Sequence, residues 1–304
     1  MLFPPFEPEE EPRRRFRPIP VRTLLPNVIT LLALCAGLTA IRLAVEDRLE
    51  FALAAIVFAA LLDGVDGRIA RMLKGTSRFG AELDSLADFV NFGVAPGLIL
   101  YFWTLHELKS AGWIAAMVFA ICAALRLARF NVTIDDPNRP AWAGNFFVGV
   151  PAPAGAIVVL LPIYLYFLGV PRIGVVAPLT FVYTLAVALL MVSRLPVFSG
   201  KRLSSRVPRE MVLPVFVLVV LFVALLISYP WAVLTLGTLG YLASLPFGWL
   251  AYRRAEQAAM RETAAPVETA LRTAVPGTVV SAPASPAASG HADPADEERP
   301  TRLN

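Results

Sequence analysis

Four aspartates stand in or beside segments that are otherwise strongly apolar. They are Asp63, Asp66, Asp84 and Asp88, in the stretch DGVDGRIARMLKGTSRFGAELDSLAD. The first two are spaced i, i+3 and the last two i, i+4. At about 100° per residue, either spacing puts both carboxylates of a pair on one face of a helix, one turn apart. Gly67 and Ala70 return to the Asp63 face, so that face is acidic and nearly free of side-chain bulk. Between the pairs lies a basic, polar turn that holds Arg71, Lys74, Gly75, Thr76, Ser77 and Arg78. Two helices folded back across it bring all four carboxylates together. Such a cluster repels itself at membrane depth and needs cations to offset it. Two divalent metals cancel four negative charges, and all-oxygen ligands favour Mg²⁺ or Mn²⁺ over zinc or copper. A metal pair suits displacement at phosphorus, where it neutralises the attacking and leaving oxygens. The small residues alongside let a phosphate-bearing ligand approach the backbone closely. In the competing reading the aspartates cap helices or pair with Arg68, Arg71 and Arg78. That explains them one at a time, but not four on matching faces.

The elements that must hold these carboxylates are apolar helices. The chain has 304 residues, 57% of them hydrophobic and 16% charged, with a mean hydropathy of +0.65. A soluble domain has about 25% charged residues, so the composition predicts a polytopic membrane protein rather than a large soluble core. Apolar stretches fall at roughly 24–44, 50–70, 86–104, 113–130, 150–169, 173–193, 211–228 and 231–250. Most have the length of a spanning helix, and together they predict an all-α bundle of about eight transmembrane helices. The last two are parted only by Ser228-Tyr229-Pro230 and read as a hairpin. The fifth opens on Pro151-Ala152-Pro153 and is expected to be irregular there. Pro96 and Gly97 are expected to kink the third.

Three parts are expected: a cytoplasmic N-terminal tail (1–22), a transmembrane catalytic domain (23–254) and a disordered cytoplasmic C-terminal tail (255–304). The first tail is rich in Pro, Glu and Arg, without the apolar run of a signal peptide. Its arginines suit anionic headgroups better than nucleic acid. The second, of Ala, Pro, Thr, Ser and Glu, lacks the apolar surface to order itself. With the N-terminus inside, twenty Lys and Arg fall in or near inside loops and four outside. That bias puts both termini and the aspartate stretch on the cytoplasmic side. Cys35 and Cys122 lie in apolar segments and read as packing residues. His106 and His291 fall in a loop and a tail. There is no P-loop and no Ser-His-Asp pattern.

The pattern Asp63-x-x-Asp66-Gly67-x-x-Ala70-Arg71, eight residues, Gly80-x-x-x-Asp84-x-x-x-Asp88 resembles the signature of the CDP-alcohol phosphatidyltransferases at every fixed position. The phrases around Asn91, ALRLARFN and Gly149-Val150-Pro151-Ala152-Pro153 resemble the bacterial membrane-type branch that uses L-serine. The resemblance spans about residues 20–205. It implies transfer of a phosphatidyl group from CDP-diacylglycerol to L-serine, with two divalent cations, in the bacterial inner membrane and as a homodimer. It further implies that Asp63, Asp66, Asp84 and Asp88 hold the metals and that Asp88 is the catalytic base. CDP-diacylglycerol is expected at Pro26, Asn27, Val28, Ile29, Gly67, Ala70, Arg71, Thr76, Ser77 and Gly80. By sequence alone Asn27 reads as an ordinary helix cap; the resemblance puts Asn27 and Thr30 beside the pyrophosphate instead. Arg126 and Arg129, an i, i+3 pair suited to a carboxylate, are acceptor-binding candidates with Asn91 and Asn131. Glycerol 3-phosphate, inositol and choline remain alternative acceptors. A cation transporter is the alternative of another class.

Overall fold

A computed structural model of the chain describes residues 21–72, 77–134, 146–193, 195–198 and 209–274. Residues up to Ala255 form one unit and those from Glu256 a second, whose described residues are helical as far as Ala274. The expected bundle is present, with helical rods at the eight predicted places. α1 (Val21–Val45) and α2 (Leu49–Met72) are joined by a tight turn in which Asp47 takes a left-handed φ of 59°, a conformation Asp tolerates better than most residues. The third rod is α3 (Arg78–Asp88), a π-helical turn (Phe89–Val94) and α4 (Ala95–Trp103). After a short 3₁₀ turn come α5 (Ser110–Ile134), α6 (Ala152–Val159), α7 (Leu161–Phe167) and α8 (Val176–Val192). α9 (Arg209–Ser228) and α10 (Pro230–Ala274) complete the series as the predicted hairpin. A two-stranded antiparallel ribbon, β1 (Phe146–Val148) against β2 (Pro196–Phe198), is an addition to the all-α expectation.

Five helical stretches among the described residues are long and apolar enough to cross a membrane: Leu24–Val45, Arg78–Trp103, Ser110–Thr133, Glu210–Ser228 and Pro230–Arg254. α2 carries Asp63, Asp66, Arg68 and Arg71 in its last turns, α6 and α7 are interrupted, and α8 has 17 residues. Length and hydropathy therefore support five crossings directly, not all eight.

Both interruptions trace to proline. In the third rod the break is not a kink at Pro96 but the π-helical turn before it. Pro96, in the first turn of α4, cannot donate to the carbonyl four residues earlier, that of Phe92 in the π-helical turn, and the Ala95 N–H reaches back five residues to the Val90 carbonyl. In the fifth rod, Pro162 sits in the first turn of α7 and cannot donate to the carbonyl four residues earlier, that of Val158. The Tyr183 hydroxyl from α8 donates to it instead, at 2.7 Å.

The core is built around the third rod. Phe92, Ile99 and Leu100 are fully buried, with Leu53 and Ile56 of α2, Phe119 of α5 and Met191 of α8. Ala40, Ala52, Ala95 and Ala123 mark where helices approach closely, the usual device where lipid gives no hydrophobic drive to association. α9 is apolar all round, and none of its most apolar window is buried by protein, as suits a helix facing lipid.

Candidate active site

α2 ends and α3 begins at the same end of the bundle. Ser77 starts α3 as its N-cap: the Gly80 N–H donates to its Oγ at 3.0 Å. With that register, oxygens of Asp63, Asp66 and Asp84 lie within 4.8 Å of one another. Asp66 is only 3% exposed, and the Thr30 hydroxyl of α1 donates to its Oδ2 at 2.8 Å. Asp88, one turn after Asp84, stands outside this triangle but within hydrogen-bonding reach of Asp63. Three carboxylates this close, with no cationic side chain in salt-bridge contact among the described residues, have the donor chemistry of a hard divalent ion. The residues present fit a metal.

Beside the triangle is a cleft of about 190 Å³, bounded by α1, α2 and α3. Of the residues expected to hold CDP-diacylglycerol, Pro26, Asn27, Gly67, Ala70, Ser77 and Gly80 line it, as do Asp66 and Asp84. Thr30 and Ala81 line it too; Ala81 had no signal in the sequence beyond its small size. Asn27 lies inside α1 rather than at its start, so it is no cap. It packs against α3 so tightly that a Cβ at Gly80 would stand 2.8 Å from its Oδ1. A Cβ at Gly67, by contrast, would meet nothing within 4 Å: the cleft is open there. Val28 and Ile29 are not in the lining, and Val28 is half exposed on the outer face of α1. The Arg71 Nε donates to the Gly67 carbonyl at 2.9 Å, at the rim. Thr76 lies outside the described residues, as do Lys74 and Gly75 and, in the tails, residues 1–20 and 275–304; the expected disordered tail is helical where it is described, as far as Ala274.

The acceptor candidates do not act as one group. Arg126 is 8% exposed and within electrostatic range of Asp88. Arg129 is exposed, and its Nη1 donates to the Val192 carbonyl at 2.7 Å, a cation at the C-terminal end of α8. The Asn131 amide donates to Ser85 Oγ at 2.9 Å and ties α5 to α3. Asn91, in the π-helical turn, is buried, and its Oδ1 has no hydrogen-bond partner. Its side chain fills the space where a Cβ of Gly37 in α1 would be.

An acidic triangle between two helices, beside a phosphate-sized cleft walled by glycine and alanine, defines the class. The chain belongs to the CDP-alcohol phosphatidyltransferase family: the family's sequence model matches residues 23–192. A second model, described as CDP-alcohol phosphatidyltransferase 2, matches residues 210–246. The chain is 40% identical over 237 residues to the CDP-diacylglycerol–serine O-phosphatidyltransferase of Mycobacterium leprae, covering 75% of this chain and 77% of that protein. It is 54% identical over 134 residues to the Mycobacterium tuberculosis protein of the same name, covering 44% and 46%. For the Helicobacter pylori protein of that name, identity is 34% over 217 residues, covering 70% and 85%. Family membership and the apolar helices make the chain an integral membrane protein.

Proposed function

We propose that the chain transfers the phosphatidyl group of CDP-diacylglycerol to the hydroxyl of L-serine, forming phosphatidylserine and releasing CMP. The observation that carries this is the triangle of Asp63, Asp66 and Asp84 beside a cleft lined by Asn27, Gly67, Ala70 and Gly80, in a chain whose relatives bear that name. Two divalent cations, Mg²⁺ or Mn²⁺, would be held by Asp63, Asp66 and Asp84 with Asp88, and would neutralise charge on the pyrophosphate. Gly67 and Ala70 admit the diphosphate to the helix surface. Asn27, Ser77 and Arg71 offer it donors, and Thr30 holds Asp66 in orientation. Asp88 takes the proton of the serine hydroxyl. The serine oxygen bonds to the phosphorus that bears diacylglycerol, and the bond from that phosphorus to the oxygen bridging to CMP breaks, so CMP leaves with the electron pair. Arg126, buried near Asp88, pairs with the serine carboxylate. Catalysis is then mainly positioning and charge neutralisation.

The charge bias of the loops supports both termini and the cleft on the cytoplasmic side of a bacterial-type cell membrane, with all eight rods crossing. A homodimer follows from the resemblance alone. The deciding experiment is CMP release by purified protein from CDP-diacylglycerol with each acceptor in turn. L-Serine is expected to support it. Release with only glycerol 3-phosphate, inositol or choline would overturn the acceptor. No release with any acceptor, together with metal flux in vesicles, would favour a transporter.

A further inference from the structure

Outside the lining of the cleft, two buried groups lack, among the described residues, the partner their chemistry asks for. Arg126 lies over the Phe130 ring, 5.1 Å from its centroid, and the ion pairs among the described residues, Arg42–Glu46 and Arg172–Glu107, are elsewhere. The Tyr241 hydroxyl on α10 is shut off from solvent with no hydrogen-bond partner, within electrostatic range of the Arg126 guanidinium. The phenol oxygen can accept from the guanidinium, but its O–H proton still needs an acceptor. Asp88 is the acidic group in range of Arg126, and the reading above engages it with the attacking hydroxyl. Thr238, one turn earlier on α10, and Thr235, about a turn before that, are also unpartnered. A threonine can turn to a backbone carbonyl of its own helix; a tyrosine hydroxyl, on a rigid ring, cannot.

Two buried donors in electrostatic range of each other, neither paired with an acceptor among the described residues, make a receptor for an anion. We infer that Tyr241 is a specificity-determining residue: its hydroxyl donates, beside Arg126, to the carboxylate of the amino-acid acceptor. The inference rests on the serine reading. It assigns α10, which lies outside the aspartate signature, a part in choosing the acceptor. Alcohols without a carboxylate leave that hydroxyl unpaired and are rejected on that ground.

The test is Tyr241→Phe, which removes one oxygen and keeps the ring. The KM for L-serine should rise about tenfold or more, the loss expected of a hydrogen bond to a charged group. The KM for CDP-diacylglycerol should not change, and the preference for L-serine over serinol, in which the carboxylate is reduced to an alcohol, should fall in step. The unfolding temperature should hold or rise, because the variant removes a buried unpaired hydroxyl. Thr238→Val, which removes the neighbouring orphan hydroxyl, should leave the serine KM unchanged. An unaltered serine KM in Tyr241→Phe overturns the assignment. So does an equal loss for both substrates with a lower unfolding temperature, or an equal rise in Thr238→Val. If the unaltered protein releases no CMP with serine, the acceptor reading itself falls, and that is seen before any variant is made.

Discussion

Asp88 differs from the other three aspartates in what surrounds it. Asp63, Asp66 and Asp84 converge on one another, whereas Asp88 is within hydrogen-bonding reach of Asp63 and within electrostatic range of Asp84 and Arg126. A carboxylate near both the acidic triangle and a buried cation is well placed to take a proton while its neighbours hold the donor substrate. Asp88→Asn keeps size and polarity but removes the base. Turnover should fall by about 10²-fold or more, while CDP-diacylglycerol binding survives. Measuring CMP release and lipid binding on the same preparation separates the two; near-normal turnover would remove Asp88 as the base. The spacing of the aspartates was readable because i, i+3 and i, i+4 mean one helix face whatever the fold. The partnership of Thr30 with Asp66, 36 residues apart, was not, since no local rule links α1 to α2.

Two glycines on neighbouring helices show what the elements contribute. Gly37 lets α1 approach the π-helical turn, where the Asn91 side chain would collide with any Cβ. Gly67 has open space before it and lines the cleft. Gly37→Ala should therefore destabilise by about 1–3 kcal/mol through overpacking, seen as a lower unfolding temperature in detergent. Gly67→Ala should fold as well as or better than the parent, since Ala is the better helix former by about 1 kcal/mol. Its KM for CDP-diacylglycerol should nevertheless rise, because the methyl group occupies the approach of the diphosphate. If Gly67→Ala leaves that KM untouched, close approach at α2 is not how the nucleotide is held. The sequence placed a distortion in the third rod at Pro96, one turn too late. A proline's missing donor is felt upstream of it, and the neighbouring N–H groups decide whether the helix kinks or takes up a π turn.

For the whole molecule, a metal held by Asp63 and Asp66 of α2 and Asp84 of α3 would cross-link two rods of the bundle. Such an ion would bind the folded state and not the unfolded chain, so stability should follow metal concentration. At about 100 times the dissociation constant the gain is about 2.7 kcal/mol. Mn²⁺ or Mg²⁺ added to EDTA-stripped protein should raise the unfolding temperature and restore CMP release together. In Asp66→Asn both responses should weaken. A metal-free protein with full activity and an unfolding temperature indifferent to metal would overturn the metal reading.

Composition, hydropathy and the spacing of four aspartates determined the membrane class, the positions of the helical rods and the side chains that converge at the cleft. All of these depend on periodicity within a segment, which a sequence displays directly. Only the tertiary structure decided how the rods are rotated against one another. That rotation sends Arg126 inward toward Asp88 and Arg129 outward to the end of α8, although three residues separate them. It also turns Asn131 to Ser85 and brings Tyr241, from a helix outside the aspartate signature, within electrostatic range of Arg126. Rotation and crossing are set by close packing of small residues such as Gly37, Ala52 and Ala123 across helix pairs far apart in the chain. No spacing rule within one segment encodes that.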